Sequence, residues 1–176
     1  MKIKTDSNLK LLEQKILPII GQVCWQARLG YGGELCLEIG KKIPYDSPLL
    51  RNEYKGEWQF GSRGSLWRLD KFSINSDLEE EELSSKLKVV EGTKITKFAI
   101  QFEPSFPLLI IKFDDKHTFS LLILPNSFDR DMSCWELFMP NRRIIEFYPD
   151  LTDEINPTLT WSDQPSDAVV EELVNS

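Results

Sequence analysis

The chain has 176 residues, of which 41% are hydrophobic and 28% are charged, and its net charge is −7 at pH 7. This composition is typical of a folded globular domain and excludes a disordered or fibrous chain. The negative charge disfavours nucleic acid and anionic lipid as partners, because their phosphates would be repelled.

The polarity of the first residues leads us to expect no export signal. MKIKTDSNLKLLEQK is too polar for a signal peptide, and the longest apolar runs, FPLLII and LLILP, are far shorter than the ~20 residues of a membrane-spanning helix. The three cysteines, Cys24, Cys36 and Cys134, leave one over in any pairing, which suits a reducing compartment. We therefore expect a cytoplasmic protein without a membrane partner.

The first predicted element is a helix over residues 7–17, since Leu9, Leu12 and Ile16 recur with helical spacing and Pro18 ends the run. The period then changes to two. QVCWQARL and ELCLEIG alternate polar and apolar residues on either side of GYGG, which predicts a β-hairpin with a glycine turn.

The register of this hairpin bears on its cysteines. If both apolar faces coincide, Leu29 pairs with Leu35 and Cys36 lies opposite Arg28. Cys36 is then about 13 Å along the sheet from Cys24, at ~3.3 Å per residue, whereas a disulfide needs Cα atoms within ~7 Å. We therefore expect free thiols.

The rest of the first half is predicted as a loop over residues 41–56, a second hairpin and a helix. EWQF and SLWRLDKFSI form the hairpin around the turn GSRG. The helix covers residues 76–88, because Ser76 and Glu79 have the spacing of a capping box and acidic residues fill the first turn.

The second half repeats this plan. S-x-W-x-L occurs at positions 65–69 and again at 133–137, Asp77-Leu78 with Glu81 matches Asp150-Leu151 with Glu154, and Gly21 and Gly92 open the two units. The spacing predicts a duplicated β-meander of about 70 residues, with coincidence as the alternative. Residues 18–88 and 89–155 would be the halves of a single domain. Residues 156–176 would be a surface appendage of one loop and one short helix.

The predicted fold is α+β and mainly antiparallel β, with two similar four-stranded meanders that form a sandwich or a partly closed barrel. Trp67 and Trp135 are interpreted as equivalent core anchors, or alternatively as two aromatic walls of a ligand site. The predicted inner faces comprise Val23, Trp25, Leu35, Leu37, Ile39, Trp67, Leu69, Ile100, Leu109, Ile111, Phe113, Leu121, Ile123, Trp135 and Leu137.

Catalytic and metal signatures are missing from the sequence. GYGG leads into a strand without a following GK[ST], there is no C-x-x-C, and the single histidine, His117, falls in a predicted turn. Glu34, Glu38, Glu57 and Glu136 alternate with apolar residues, so we expect solvated carboxylates on the outer face, paired with Arg28 or Arg68. No catalytic residue, metal or cofactor is predicted.

Four arginines stand out on this acidic chain as candidate binding residues. Arg63 lies in GSRG and Arg130 in PNSFDRDM, the loops that precede the two S-x-W-x-L strands, and Arg142 and Arg143 follow in MPNRRII. Loops at one end of a sheet often carry binding residues. An anionic ligand or an acidic partner could use these arginines; simple solvation in turns is the alternative.

Two resemblances are visible. GEW at positions 56–58 resembles the G-x-W of lipocalin-like barrels, including the bilin lyases, although here a whole hairpin precedes the motif. The wider order of G-x-V, L-x-L-E-x-G and S-x-W-x-L resembles small uncharacterised bacterial β-rich proteins, some of which are similar to immunity proteins of toxin systems. Neither resemblance assigns functional residues to this chain.

Three functions remain open from the sequence. The leading hypothesis is a non-enzymatic intracellular protein-binding module of the immunity-protein kind. The alternative is a β-barrel carrier of a small apolar or anionic ligand, which requires a cavity lined by the aromatic residues. A third hypothesis is an enzyme that uses carboxylates alone, which requires two carboxyls in one pocket with a raised pKa.

Overall fold

The computed structural model describes residues 2–3, 6–46, 48–63, 65–70, 72–73, 79–102, 107–114, 116–122, 133–150 and 158–165. Within these ranges lie two α-helices, α1 (Asp6–Ile16) and α2 (Glu80–Leu87). The strands in the same ranges are β1 (Lys2–Ile3), β2 (Val23–Leu29), β3 (Leu35–Pro44), β4 (Tyr54–Gly61), β5 (Leu66–Leu69), β6 (Phe72–Ser73), β7 (Thr93–Phe102), β8 (Pro107–Phe113), β9 (His117–Leu122), β10 (Trp135–Met139), β11 (Arg143–Asp150) and β12 (Thr158–Pro165).

Both predicted helices are present. α1 buries Leu12 and Ile16, the positions that the helical spacing indicated. α2 begins later than predicted, at Glu80. Glu79 occupies the N-cap position, outside the helix, and its side chain makes no capping hydrogen bond. The predicted capping box is therefore wrong for Glu79, and Ser76 lies outside the described residues.

The strands are mainly antiparallel, as predicted, and they form a single sheet instead of the predicted sandwich or partly closed barrel. Their order is β1-β12-β11-β10-β4-β3-β2-β7-β8-β9-β5-β6, so that β1 and β6 lie at opposite ends among the described strands and the sheet is not closed. Phe98 of β7 nevertheless contacts Phe60 of β4 and Trp135 of β10, with each pair of ring centroids 6.0 Å apart. The sheet thus curves so that β7 shares one core with β4 and β10.

The predicted register of the first hairpin is confirmed. Leu29 pairs with Leu35, and Arg28 lies opposite Cys36. The alternation before this point was predicted incorrectly, because a bulge follows Cys24 and reverses the faces. Cys24 is buried in the core, whereas Val23 and Trp25 are only half-buried.

The predicted second hairpin is wrong. β4 pairs with β3 and β10, and β5 pairs with β9 and β6. The connection between β4 and β5 is held elsewhere: Ser62 donates its backbone N–H to Leu35, and the Ser65 hydroxyl donates to the carbonyl of Cys134. The chain therefore does not turn back after β4. β5 pairs with β9 of the second half, and β10 pairs with β4 of the first half.

The hairpins β2–β3 and β7–β8 have corresponding registers. In each pair the strands are antiparallel, the first strand follows a glycine with positive φ, and a bulge interrupts the pairing near its start. The corresponding partners are Leu29 with Leu35 and Ile100 with Leu109, and the corresponding bulges follow Cys24 and Ile95.

The predicted C-terminal appendage is wrong for residues 158–165. They form β12, which pairs with β11 along its whole length and with β1. The alternation was weak here because TWSDQP has few apolar residues. The predicted short helix and Arg130 lie outside the described residues, as do the side chains of the predicted core residues Leu121 and Ile123.

The core contains both tryptophans of the repeated motif. Trp67 is 2% exposed and Trp135 is 0% exposed, and Trp135 stacks on Phe147 with the ring centroids 4.9 Å apart. The indole N–H of Trp67 donates to the carbonyl of Gly33 at 2.9 Å. The interpretation of the two residues as core anchors fits this packing. In the part of the chain that the structure describes, neither helix has the length and apolar character required to cross a membrane.

Candidate functional site

Two neighbouring pockets lie on the outer face of β3, β4 and β10. The core face of β10 is formed by Trp135, Leu137 and Met139, which places Glu136 and Phe138 on the opposite side. We call the first cavity the acidic pocket. It has a volume of about 290 Å³, and its charged and thiol-bearing lining residues are Arg28, Glu34, Cys36, Glu38, Arg63 and Glu136.

Glu38 is not the solvated carboxylate that the alternation predicted. It is 3% exposed, and its carboxylate accepts hydrogen bonds from the backbone N–H of Gly56 at 2.6 Å and from the amide of Gln59 at 3.1 Å. The predicted partner Arg28 lies 3.9 Å away. β4 and Arg28 cover the Glu38 carboxylate and bury it, and both of its oxygens accept hydrogen bonds, as buried polar groups require.

Glu136, also predicted to be solvated, is 6% exposed. Its carboxylate forms an ion pair with Arg63, whose guanidinium also lies 3.5 Å from Glu34. Burial raises the pKa of the Glu136 carboxyl above its ordinary value, and the hydrogen bond and charge of Arg63 offset this rise only in part. Two carboxylates thus converge on one guanidinium in the acidic pocket.

The position of Arg63 depends on its loop. Arg63 has φ +41°, a conformation that non-glycine residues seldom adopt. The loop is fixed on both sides, because the Ser62 hydroxyl accepts the N–H of Leu35 at 2.9 Å and the backbone N–H of Ser65 donates to the Ser62 carbonyl at 2.9 Å. These contacts hold the guanidinium between Glu34 and Glu136.

Gly61 makes room for this network. A Cβ atom at position 61 would lie 2.6 Å from a carboxylate oxygen of Glu34, which is closer than side chains approach. A glycine on β4 therefore lets the Glu34 carboxylate pack against the strand and reach Arg63.

The thiols offer no ready nucleophile. Cys24, Cys36 and Cys134 are free. Burial raises the pKa of the Cys36 thiol to about 11 and those of Cys24 and Cys134 to about 12. At neutral pH these groups are protonated, and the thiolate that nucleophilic chemistry requires is scarce.

His117 pairs with an acidic residue outside the acidic pocket. Its Nδ1 atom lies 2.9 Å from a carboxylate oxygen of Asp70, and the other oxygen of Asp70 accepts the N–H of Thr118 at 2.8 Å. Asp70 has φ +48° in the turn that follows β5. The pair joins this turn to β9. Among the described residues, no group of three histidines, cysteines or carboxylates is placed to hold a metal ion.

The second cavity, which we call the arm pocket, has a volume of about 400 Å³ and shares Gln59 and Phe138 with the acidic pocket. Lys55 and Arg142 contribute its cationic groups. Arg142 has φ +58° in the turn between β10 and β11. The sequence singled out this arginine, and the structure places it beside the cavity.

A two-stranded extension begins at the arm pocket. β3 pairs with β2 only as far as Ile39, and β4 pairs with β10 only from Gln59 onwards. Between these two points, β3 and β4 pair only with each other among the described strands. We call residues 41–56 the arm. The sequence predicted a loop here, because two prolines hide the strand pattern. The exposed large apolar residues of the arm are Ile43, Leu49, Leu50 and Tyr54.

The predicted binding residues are thus separated by the fold. Arg63 lies in the acidic pocket and Arg142 in the arm pocket, while Arg143 begins β11 and lines neither cavity. Trp67 and Trp135 are buried in the core and line neither cavity.

Sequence reasoning missed the arm and the burial of Glu38 and Glu136. Gly61 lies opposite Glu136 in the sheet, and Gly56 donates its N–H to Glu38, but both contacts depend on strand pairings that the sequence does not show. No protein-family model, curated protein or solved structure matches this chain.

Proposed function

We propose that the protein is a non-enzymatic intracellular protein-binding module, of the kind represented by the immunity proteins that its sequence resembles, and that its partner contacts the arm. The observation that carries this proposal is the exposure of the arm's apolar side chains. Leu49 is 94% exposed, and Ile43, Leu50 and Tyr54 are exposed on the same extension. A single exposed leucine is ordinary, whereas several on one projecting element are typical of an interaction surface.

Charge supports the same surface. The arm has four cationic side chains, Lys41, Lys42, Arg51 and Lys55, and two acidic ones, Asp46 and Glu53, on a chain whose net charge is −7. Such a local reversal of charge attracts an acidic partner and orients its approach. The arm pocket, with Arg142 beside it, offers a recess for a side chain of that partner at the base of the arm.

The proposal is tested by native mass spectrometry of the protein purified from its own host, compared with Leu49→Asp. We expect a stoichiometric complex with a protein in the wild type and its loss in the variant, because an aspartate at the tip would be both polar and repelled by an acidic partner. Leu17→Asp is the matched control, since Leu17 is 64% exposed but lies in the turn after α1.

Two results would contradict the proposal. One is a complex that survives Leu49→Asp as well as it survives Leu17→Asp. The other is a chain that carries a retained small molecule and no protein, which would favour the carrier hypothesis. That hypothesis has lost the support that the sequence gave it, because Trp67 and Trp135 were its proposed walls and both are packed in the core.

A second candidate is a hydrolase that uses carboxylates. The observation in its favour is the raised pKa of Glu136 in a pocket that also holds Glu34 and Glu38. Two carboxyls in one pocket, one of them with a raised pKa, are the groups that acid–base hydrolysis requires. The test is hydrolysis of a panel of nitrophenyl glycosides and esters. Turnover that is lost in Glu136→Gln and kept in Glu57→Gln would support it, and a wild type without turnover would count against it.

We also infer that the halves derive from one duplicated unit, as the repeated S-x-W-x-L indicated. The support is the correspondence of register and bulge between β2–β3 and β7–β8. The exchange of β5 and β10 between the halves extends the parallel, since each of these strands follows its own meander and joins the other one.

A further inference from the structure

The outer face of β7, β8 and β5 carries three cationic side chains. On β7, β8 and β5 the inward positions are occupied by core residues such as Phe98, Ile111 and Trp67. Their neighbours Lys97, Lys112 and Arg68 therefore project from the opposite face of the sheet. We call the surface formed by these three residues the basic face.

Two of these cations lie directly opposite each other. Lys97 pairs with Lys112 in the register of β7 and β8. Directly opposed residues have Cβ atoms about 5 Å apart, and like charges at that spacing destabilise a sheet. Among the described residues, no carboxylate lies within ion-pair distance of Lys97, Lys112 or Arg68. Within the part of the chain that the structure describes, the repulsion is therefore not relieved by an ion pair.

An apolar strip adjoins the cations. Ile110 and Leu108 follow Lys112 along the same face of β8, and Leu66 lies on β5 two residues before Arg68. Leu108 is half-buried and Leu66 is exposed, whereas Ile110 is buried and offers little surface to a partner. A surface of this composition fits a partner that combines carboxylates with apolar side chains.

The positions on β3 and β10 that correspond to Lys112 and Arg68 have the opposite charge. Lys112 follows Ile111 on β8 as Glu38 follows Leu37 on β3, and both core residues pair with a phenylalanine of the next strand, Phe119 or Phe60. Arg68 follows Trp67 as Glu136 follows Trp135. The fold itself therefore accepts acidic side chains at these positions, and the cations are not required by the packing.

We propose that the basic face binds an acidic, partly apolar segment of a protein partner. The inference rests on the proposed protein-binding function and adds a second contact surface, separate from the arm. A nucleic acid fits less well, because three cations offer few phosphate contacts and the net charge of −7 repels a long polyanion.

The test is fluorescence anisotropy with a labelled peptide of alternating glutamates and leucine, EELEELEE, and with a single-stranded DNA oligonucleotide as the second probe. We expect the peptide to bind the wild type and to bind the double variant Lys97→Gln/Lys112→Gln about tenfold more weakly, as the loss of two charge-assisted contacts predicts. The control is Lys10→Gln/Lys88→Gln, which removes the same charge from exposed positions elsewhere.

Three results would overturn the proposal: no binding of the peptide to the wild type, equal weakening in both double variants, and binding of the DNA without binding of the peptide. None of these results bears on the arm, so the effect of Leu49→Asp on the host complex tests the proposed function separately.

Lys97→Glu gives an independent readout. A glutamate opposite Lys112 replaces repulsion by attraction, so we expect Tm to rise by about 1–3 °C while peptide binding is lost. If Lys97 stabilised the sheet, Lys97→Glu would lower Tm, and that result would also overturn the proposal.

Discussion

Gly21 and Gly92 donate equivalent backbone hydrogen bonds across the middle of the sheet. The N–H of Gly21 binds the carbonyl of Ile95, and the N–H of Gly92 binds the carbonyl of Cys24, each at 2.7 Å. Their φ angles are +85° and +81°, a region that favours glycine. The two reciprocal bonds join the start of β2 to the start of β7 and so connect the halves at their first strands.

The exchange of strands between the halves predicts that they remain associated after cleavage. We expect a chain cut at a protease site inserted after Asn75 to elute as one species in native buffer, since β10 pairs with β4, β5 with β9 and β2 with β7. Size-exclusion chromatography of the cut chain, with and without urea, measures this. Separation of the pieces without denaturant would contradict it.

The two tryptophans of the repeated motif should differ in their response to phenylalanine. Trp67 donates a hydrogen bond to Gly33, whereas the indole N–H of Trp135 has no partner among the described residues. Both substitutions remove similar volume, so Trp67→Phe should lower the free energy of unfolding by about 1 kcal/mol more than Trp135→Phe. Urea unfolding of the two variants provides the comparison; equal or reversed losses would show that the hydrogen bond contributes little.

Gly56 should tolerate no side chain. A Cβ atom there would lie 2.4 Å from the backbone nitrogen of Ile39 and from the carbonyl oxygen of Trp58. We expect Gly56→Ala to lower the free energy of unfolding by about 2–3 kcal/mol, because β3 must move away and the contact with Glu38 loosens. Gly32→Asn is the control, since Gly32 has φ +69° and open space around it. Thermal unfolding of both variants tests the contrast, which would fail if the control lost as much stability.

The raised pKa of Glu136 determines how stability depends on pH. A native carboxyl with a raised pKa binds its proton more tightly than the unfolded chain does. Its contribution to stability is therefore present below the ordinary value of 4.5 and declines as pH rises through the native value. Relative to the wild type, Glu136→Gln should thus gain in free energy of unfolding as pH increases across this window.

Urea unfolding at a series of pH values measures the difference between wild type and Glu136→Gln. Glu81→Gln serves as the control for loss of a carboxylate, because Glu81 is exposed in the first turn of α2. A difference that shrinks with rising pH would mean that the ion pair with Arg63 outweighs the burial of the carboxyl.

Much of the local structure could be predicted from the sequence. Leu29 and Leu35 were placed opposite each other because side chains alternate strictly along a strand, and the apolar faces of a hairpin must coincide. α1 was predicted from the helical spacing of Leu12 and Ile16. These patterns are local, and near neighbours in the chain are sufficient to establish them.

Only the tertiary structure decided which strands meet. The order of pairing around β4, β5, β9 and β10 depends on the burial of Trp67 and Trp135 in one common core, which no local pattern specifies. The site follows from that order. Glu38 and Glu136 have the alternation of surface residues. Glu38 is buried beneath β4 and Arg28, and Glu136 is buried because the crossing of the chain brings Arg63 over it. Alternation tells which face of a strand a side chain occupies, whereas burial depends on what another part of the chain places against that face.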